Sequence, residues 1–258
     1  SNRYFYNARV WWNDPDPVYV RHSIPVERAR VSASWASLTG QLYALSDWAP
    51  EYGEDRVDVV RKTIPNHMRD TVRPVDLFEA DLARVWLLSD ETTGTRRDVV
   101  GLFNWDEKNP ASFKYAPEKL GLATTRADGS AVEEYVGYDF WENRFIEPFT
   151  ALDETLPGES CRIIAVRAIE DYPILLSTSR HISQGILEVK EERWDADARS
   201  LTIVADVPAA EDFEYELRVY NPFEKKLERW TAPKGTSGTT AFKYLPDAEA
   251  GARFKVVE

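Results

Sequence analysis

The apolar pattern changes period once, near Pro74, and that change divides the chain into two kinds of structure. Before it, apolar residues recur at helical spacing, about 3.6 residues per turn, between short continuous apolar runs; after it they alternate with a period of 2. Ala8-Arg9-Val10-Trp11-Trp12 reads as a short strand that stops at Asn13-Asp14-Pro15-Asp16-Pro17, a stiff polar loop. Pro25 suits the first turn of a helix, and Val26, Ala29, Ala33, Ala36 and Leu38 keep helical spacing up to Gly40, a good stop. Gln41 to Ser46 is a second apolar run, closed by Asp47. Val57, Val60 and Ile64 then mark a short helix that follows Glu54-Asp55 and ends at Pro65. Strands that alternate with helices in this way belong to parallel sheets covered on their faces.

Beyond Val75 the strand candidates are Arg84 to Leu88, Asp98 to Trp105, Ala111 to Tyr115, Gly137 to Phe140 and Cys161 to Val166. Turn signals at Thr93-Gly94, Asp128-Gly129 and Pro157-Gly158 separate them, as in an antiparallel sandwich. Six more follow: Ile186 to Trp194, Leu201 to Val207, Tyr215 to Tyr220, Lys226 to Trp230, Thr239 to Tyr244 and Arg253 to Val257. They suit a small immunoglobulin-like or fibronectin-like sandwich. The expected fold is therefore mixed α/β followed by all-β. Residues 1–74 carry two βα units, 75–182 a β-sandwich and 183–258 a smaller one.

The formal net charge of −12, with basic residues scattered among more numerous acids, argues against a nucleic-acid partner. No apolar run reaches the roughly 20 residues of a membrane span. Cys161 is the only cysteine, so no internal disulfide forms, and its apolar surroundings predict a buried, inert thiol. His22, His67 and His181 are far apart, and neither a metal nor a cofactor is expected. Aromatic residues make up 12% of the chain, which suits sugar stacking and sandwich cores alike. The chain opens on Ser1-Asn2, and Met68 is its only methionine, which points to a processed form or a piece of a longer protein.

Trp12-Asn13-Asp14-Pro15-Asp16 resembles the W-N-D-P-D motif of family 27 α-galactosidases and related clan D glycosidases. Trp35-Ala36-Ser37-Leu38, Gln41 to Asp47, Ala83 to Trp86 and Val99 to Asn104 resemble segments that follow it in that family. Ser179 to Gly185 resembles a segment of bacterial family 36-like proteins. The resemblance covers about residues 4 to 185. It implies that residues 1–74 are the last two βα units of a (β/α)₈ barrel, followed by sandwich domains. It also implies that the nucleophilic and acid/base carboxylates of a retaining glycosidase, roughly 5 to 5.5 Å apart, lie upstream of Ser1, leaving no catalytic residue in this chain. Asp16 matches a sugar-contacting residue, with Asp14 and Trp12 beside it as further substrate-binding candidates. Pro17 stands where the family usually has methionine, so the pocket wall differs there. Its partners would be a carbohydrate substrate and the missing barrel half, or a second copy of the chain. An extracytoplasmic location is implied on the same ground.

The residues also support other readings. By spacing alone, Asp14 and Asp16 serve as caps of the loop or the next helix, or as an acid pair themselves. Arg180-His181 is either a catalytic pair in a loop or a solvated or sandwich-bridging pair. Trp35 reads as core, and Glu188 to Arg193 as a charge run on an exposed strand face. The alternative function is a non-catalytic carbohydrate-binding or accessory β-sandwich protein.

Overall fold

The computed structural model describes residues 3–209 and 213–257. Both expected helices form, α1 over Val26–Leu38 and α2 over Glu54–Thr63. Gly40, at φ 65°, ends α1 in the left-handed conformation that favours glycine. Glu54 and Asp55 at the start of α2, with Arg61 and Lys62 at its end, match the helix dipole.

The strands expected at Ala8–Trp12 and Gln41–Ser46 do not form. Ala8 adopts φ 60°, and residues 8 to 10 are a turn. Two extended stretches nevertheless run parallel on either side of α1. Leu42 N–H donates to the Asn13 carbonyl at 2.9 Å and Val18 N–H to the Ala44 carbonyl at 2.8 Å, with one parallel bridge between Val18 and Leu45. A parallel strand normally has a ladder on each side. Here two stretches share two hydrogen bonds, and no third strand flanks them among the described residues.

After Pro74 every strand pairing is antiparallel. In chain order the elements are β1 (Arg73–Pro74), β2 (Val85–Asp90), β3 (Arg97–Asn104), β4 (Ala111–Tyr115), α3 (Pro117–Leu120), β5 (Tyr135–Asp139), β6 (Arg144–Phe149), β7 (Leu152–Leu156) and β8 (Ser160–Ala168). One sheet has the order β1-β2-β3-β8-β5-β6, and β4 pairs with β7 in a second layer. Val85, Leu87, Val100, Leu102, Phe113, Leu156 and Ile164 pack between the layers. The opposite face of the sheet is covered by α1, whose Val31 and Leu38 join Trp86, Val99, Phe103 and Ile163. Gly101 makes this contact possible: a Cβ there would stand 2.3 Å from Leu38 Cδ2. The other side of α1 packs Ala29, Ala33 and Ala36 against Val18, Val20 and Val59. The helix is thus a buried layer, and its small residues let both neighbours approach.

The remaining strands are β9 (Ile174–Thr178), β10 (Val189–Asp195), β11 (Ser200–Val207), β12 (Glu216–Asn221), β13 (Lys226–Thr231), β14 (Gly238–Tyr244) and β15 (Phe254–Val257). They make two sheets, β10-β11-β14-β15 and β13-β12-β9, around Leu201, Ile203, Leu217, Val219, Phe242 and Tyr244. β9 precedes the expected boundary at residue 183 and pairs with β12.

The charge run Glu188 to Arg193 is not an exposed face: Glu188 and Glu192 are buried. A bulge between Val189 and Glu191 is the cause. The extra residue breaks the two-residue alternation, so Val189 and Glu192 both face the core, opposite Ala205 and Ile203. Glu192 lies between Arg97 at the start of β3 and Arg167 near the end of β8, and its Oε1 also accepts the Leu175 N–H at 2.9 Å. This ion cluster ties the two sandwiches together. Burial opposes the charge, but Arg167 and Arg97 hold Glu192 below the ordinary carboxylate range.

The segment Ser179 to Gly185 forms a second junction. Ile182 N–H donates to the Lys62 carbonyl at the end of α2, and Gln184 bridges Ser177 of β9 and the Ile163 carbonyl of β8. His181 is fully buried; its Nδ1 accepts the Ser183 N–H at 3.1 Å, so the proton sits on Nε2, 3.3 Å from Ser37 Oγ in α1. Its full burial rules out the solvated reading for this histidine, and its side chain bridges to α1 rather than between sandwiches. Burial pushes its pKa down to about 3, whereas an unfolded histidine titrates near 6.5. Between those values the unfolded chain binds a proton that the folded chain does not, so stability falls as pH drops below about 6.5. Urea unfolding at pH 7 and pH 5 should therefore show a smaller acid loss in His181→Gln than in the parent. Equal losses would mean that another group titrates.

Candidate functional site

The Trp12–Asp16 loop is built around Asn7. This buried side chain donates from Nδ2 to the Gly40 carbonyl at 2.9 Å, beyond the end of α1, and its Oδ1 accepts the Asn13 N–H at 2.8 Å. The loop is thereby clamped to the helix that follows it. Trp11 Nε1 donates to Asn13 Oδ1, and Asn13 Nδ2 to the Arg3 carbonyl. Asp14 Oδ1 accepts the Asp16 N–H at 3.0 Å, closing an Asx turn. That turn holds Asp16 at φ 68°, a conformation uncommon for a residue with a side chain. Asp14 thus has the loop-capping role. Asp16 is exposed, and its carboxylate accepts no hydrogen bond among the described residues.

A groove of about 600 Å³ opens beside this loop. Trp12 and Asp14 line it together with Trp11, Trp35, Gln41 and Arg3; Asp16 is not part of its wall. Trp35 is therefore only partly core. It meets Trp86 and Trp105 edge-on at 6.5 and 6.2 Å while also facing the groove. Sequence reasoning passed over Asn7, Gln41 and Arg3. Nothing in their neighbourhood marks them, because their role depends on contacts more than 30 residues away or on the loop's backbone.

A second cleft, of about 400 Å³, lies where the Gln41–Ser46 run ends. Asp47 is its centre. Its carboxylate accepts the Val20 N–H and the Arg21 Nε–H, both at 2.6 Å, and the Tyr52 hydroxyl at 3.3 Å. Burial alone would raise the Asp47 pKa, but these three donors hold it below the usual range. Asp47 is thus ionised and fully engaged, a brace rather than an open acceptor. Trp48, 70% exposed, stands at the rim. Among the described residues no group of three or more His, Cys, Asp or Glu side chains is placed to hold a metal ion, and no helix is long and apolar enough to cross a membrane. Cys161 is buried, and burial pushes its thiol up to about 12.

No family model and no curated protein sequence matches the chain. Solved structures do. Glycosidases are among them. α-Galactosidase I from Mortierella vinacea is 13% identical, with 61% of this chain and 40% of that one covered at a TM-score of 0.46. A GH27 β-L-arabinopyranosidase from Geobacillus stearothermophilus is also 13% identical, with 62% and 38% covered and a TM-score of 0.49. The α-galactosidase of Saccharomyces cerevisiae is 10% identical, with 62% and 47% covered and a TM-score of 0.43. The likeness is one of fold, and the chain spans less than half the length of each.

Proposed function

We propose that this chain is the C-terminal part of an α-galactosidase-like retaining glycoside hydrolase, supplying sugar-contacting residues and sandwich domains while the catalytic carboxylates lie on the remainder of the barrel. The observation that carries this reading is Asp16. It is the motif's second aspartate, fixed in a left-handed conformation by Asp14, with a carboxylate that no group engages among the described residues. Conformations of this kind persist where the surrounding structure holds them, and they cluster at functional sites. A carboxylate of this kind can accept hydrogen bonds from two sugar hydroxyls. Asp47, with its oxygens already satisfied, suits a bracing role in the second cleft.

The test is hydrolysis of an aryl α-galactoside. The isolated chain should give no turnover above a mock preparation, since both the nucleophile and the acid/base group would be missing. In the polypeptide that includes the whole barrel, Asp16→Ala should weaken sugar binding more than Asp47→Ala does, read by calorimetry. Turnover by the isolated chain that disappears in Asp16→Asn, or equal affinities of the two alanine variants, would overturn the reading.

A further inference from the structure

A groove of about 560 Å³ runs along the first sandwich beside its junction with the second, well within the range of small-molecule sites. No residue of the Trp12–Asp16 loop or the Asp47 cleft lines it. Its walls carry three acids and three arginines. Arg96 is paired with Asp98 and lies 3.9 Å from Glu91, while Arg167 is committed to Glu192. Among the described residues Arg126 and Glu170 make no ion pair, and they are opposite in sign.

The groove also offers unused hydrogen-bonding groups. Among the described residues the hydroxyls of Thr124, Thr125 and Tyr172 make no hydrogen bond, and Arg126 Nε is buried without a partner. Among the described residues Glu170 accepts only the Ala127 N–H, at the long distances of 3.3 and 3.4 Å. Burial pushes the Tyr172 hydroxyl up to about 12, so it stays a donor at neutral pH. The Tyr172 ring is stacked on Trp194 at 5.9 Å and 8°. One face is thus fixed by a second ring, and the tyrosine reaches the groove with its other face or its edge. Rigid aromatic surface, hydroxyls, and a carboxylate and guanidinium of cancelling charge suit a neutral ligand dense in hydroxyl groups.

We propose that this groove is a non-catalytic binding site for a neutral oligosaccharide, with Tyr172 as the stacking surface and Glu170, Arg126 and the two threonines as hydrogen-bonding partners. The site is independent of the galactosidase reading and needs none of the barrel.

Calorimetric titration of the intact chain with raffinose, maltotriose and xylotriose tests it. At least one should bind. Tyr172→Ala should weaken that binding roughly tenfold, the loss of one aromatic contact. Glu170→Gln should weaken it as well, and Asp206→Ala, outside every groove described, should leave it unchanged. If Tyr172→Ala does not fold, Thr124→Val and Glu170→Gln carry the test. No binding of any of the three sugars, or binding kept in the groove variants, overturns the proposal.

Discussion

Glu192→Ala is expected to lower the unfolding free energy of the chain by about 3–5 kcal/mol, the cost of removing one member of a buried ion cluster. The substitution leaves the Arg97 and Arg167 guanidinium groups buried without their carboxylate, and the Leu175 N–H without its acceptor. Against a total of about 5–15 kcal/mol for a folded domain, that is a large fraction. Because the cluster joins β3 and β8 of one sandwich to β10 of the other, its loss should also uncouple them, splitting one urea transition into two. Lys190 and Asp206 provide the control. Their ion pair at 2.9 Å is exposed, and Asp206→Ala should cost less than about 1 kcal/mol. A Glu192→Ala curve that overlays the control would show that the cluster is not what holds the sandwiches together.

The same glutamate shows where sequence reasoning stops. Alternation located most of the strands after Val75, because half-buried strands repeat every two residues. It failed at Glu192 because a bulge inverts the alternation, and a bulge is created by pairing with another strand rather than by local composition. β6 was missed for a related reason. Pro148 argues against a strand, yet β6 lies at the sheet edge, where a missing donor is tolerated. β7 hides its short pattern behind two adjacent acids: Asp153 faces outward, while Glu154, on the same face as Leu152 and Leu156, is held by Arg144. The helices were legible because Pro25, Gly40 and Pro65 punctuate them. In the candidate site, the motif drew attention to Trp12, Asp14 and Asp16, but not to the division of labour between the two aspartates. That depends on one oxygen of Asp14 turning back to the Asp16 amide. The clamp by Asn7 joins positions more than 30 residues apart and leaves no local trace.

The isolated chain is expected to self-associate through its first 82 residues, and replacing a few side chains there should abolish this. Of the seventeen large apolar side chains exposed among the described residues, fourteen lie between Phe5 and Leu82, among them Trp11, Trp12, Leu42, Leu45 and Trp48. Each fully exposed one forgoes roughly 1.5–3 kcal/mol of burial. The parallel stretches at residues 13–18 and 42–45 also lack flanking strands among the described residues, leaving backbone groups open to another chain. In the proposed enzyme the rest of the barrel covers this face. Sedimentation velocity should show concentration-dependent association of the parent chain. The triple variant Trp11→Gln, Leu42→Lys, Leu45→Lys should weaken it at least about a hundredfold, given some 3 kcal/mol or more of lost burial. The fold itself should survive, because α1 is anchored elsewhere: Leu38 sits over Gly101, and Ser34 accepts the Trp141 indole N–H at 2.8 Å. Limited proteolysis separates face from anchor. Cuts should fall within residues 8–20 and 42–52, while α1 stays bound to the sandwich even after the chain is nicked on both sides of it. A parent chain that stays monomeric at every concentration and resists cleavage in both stretches would mean that this face is complete as it stands, and the half-barrel reading would go with it.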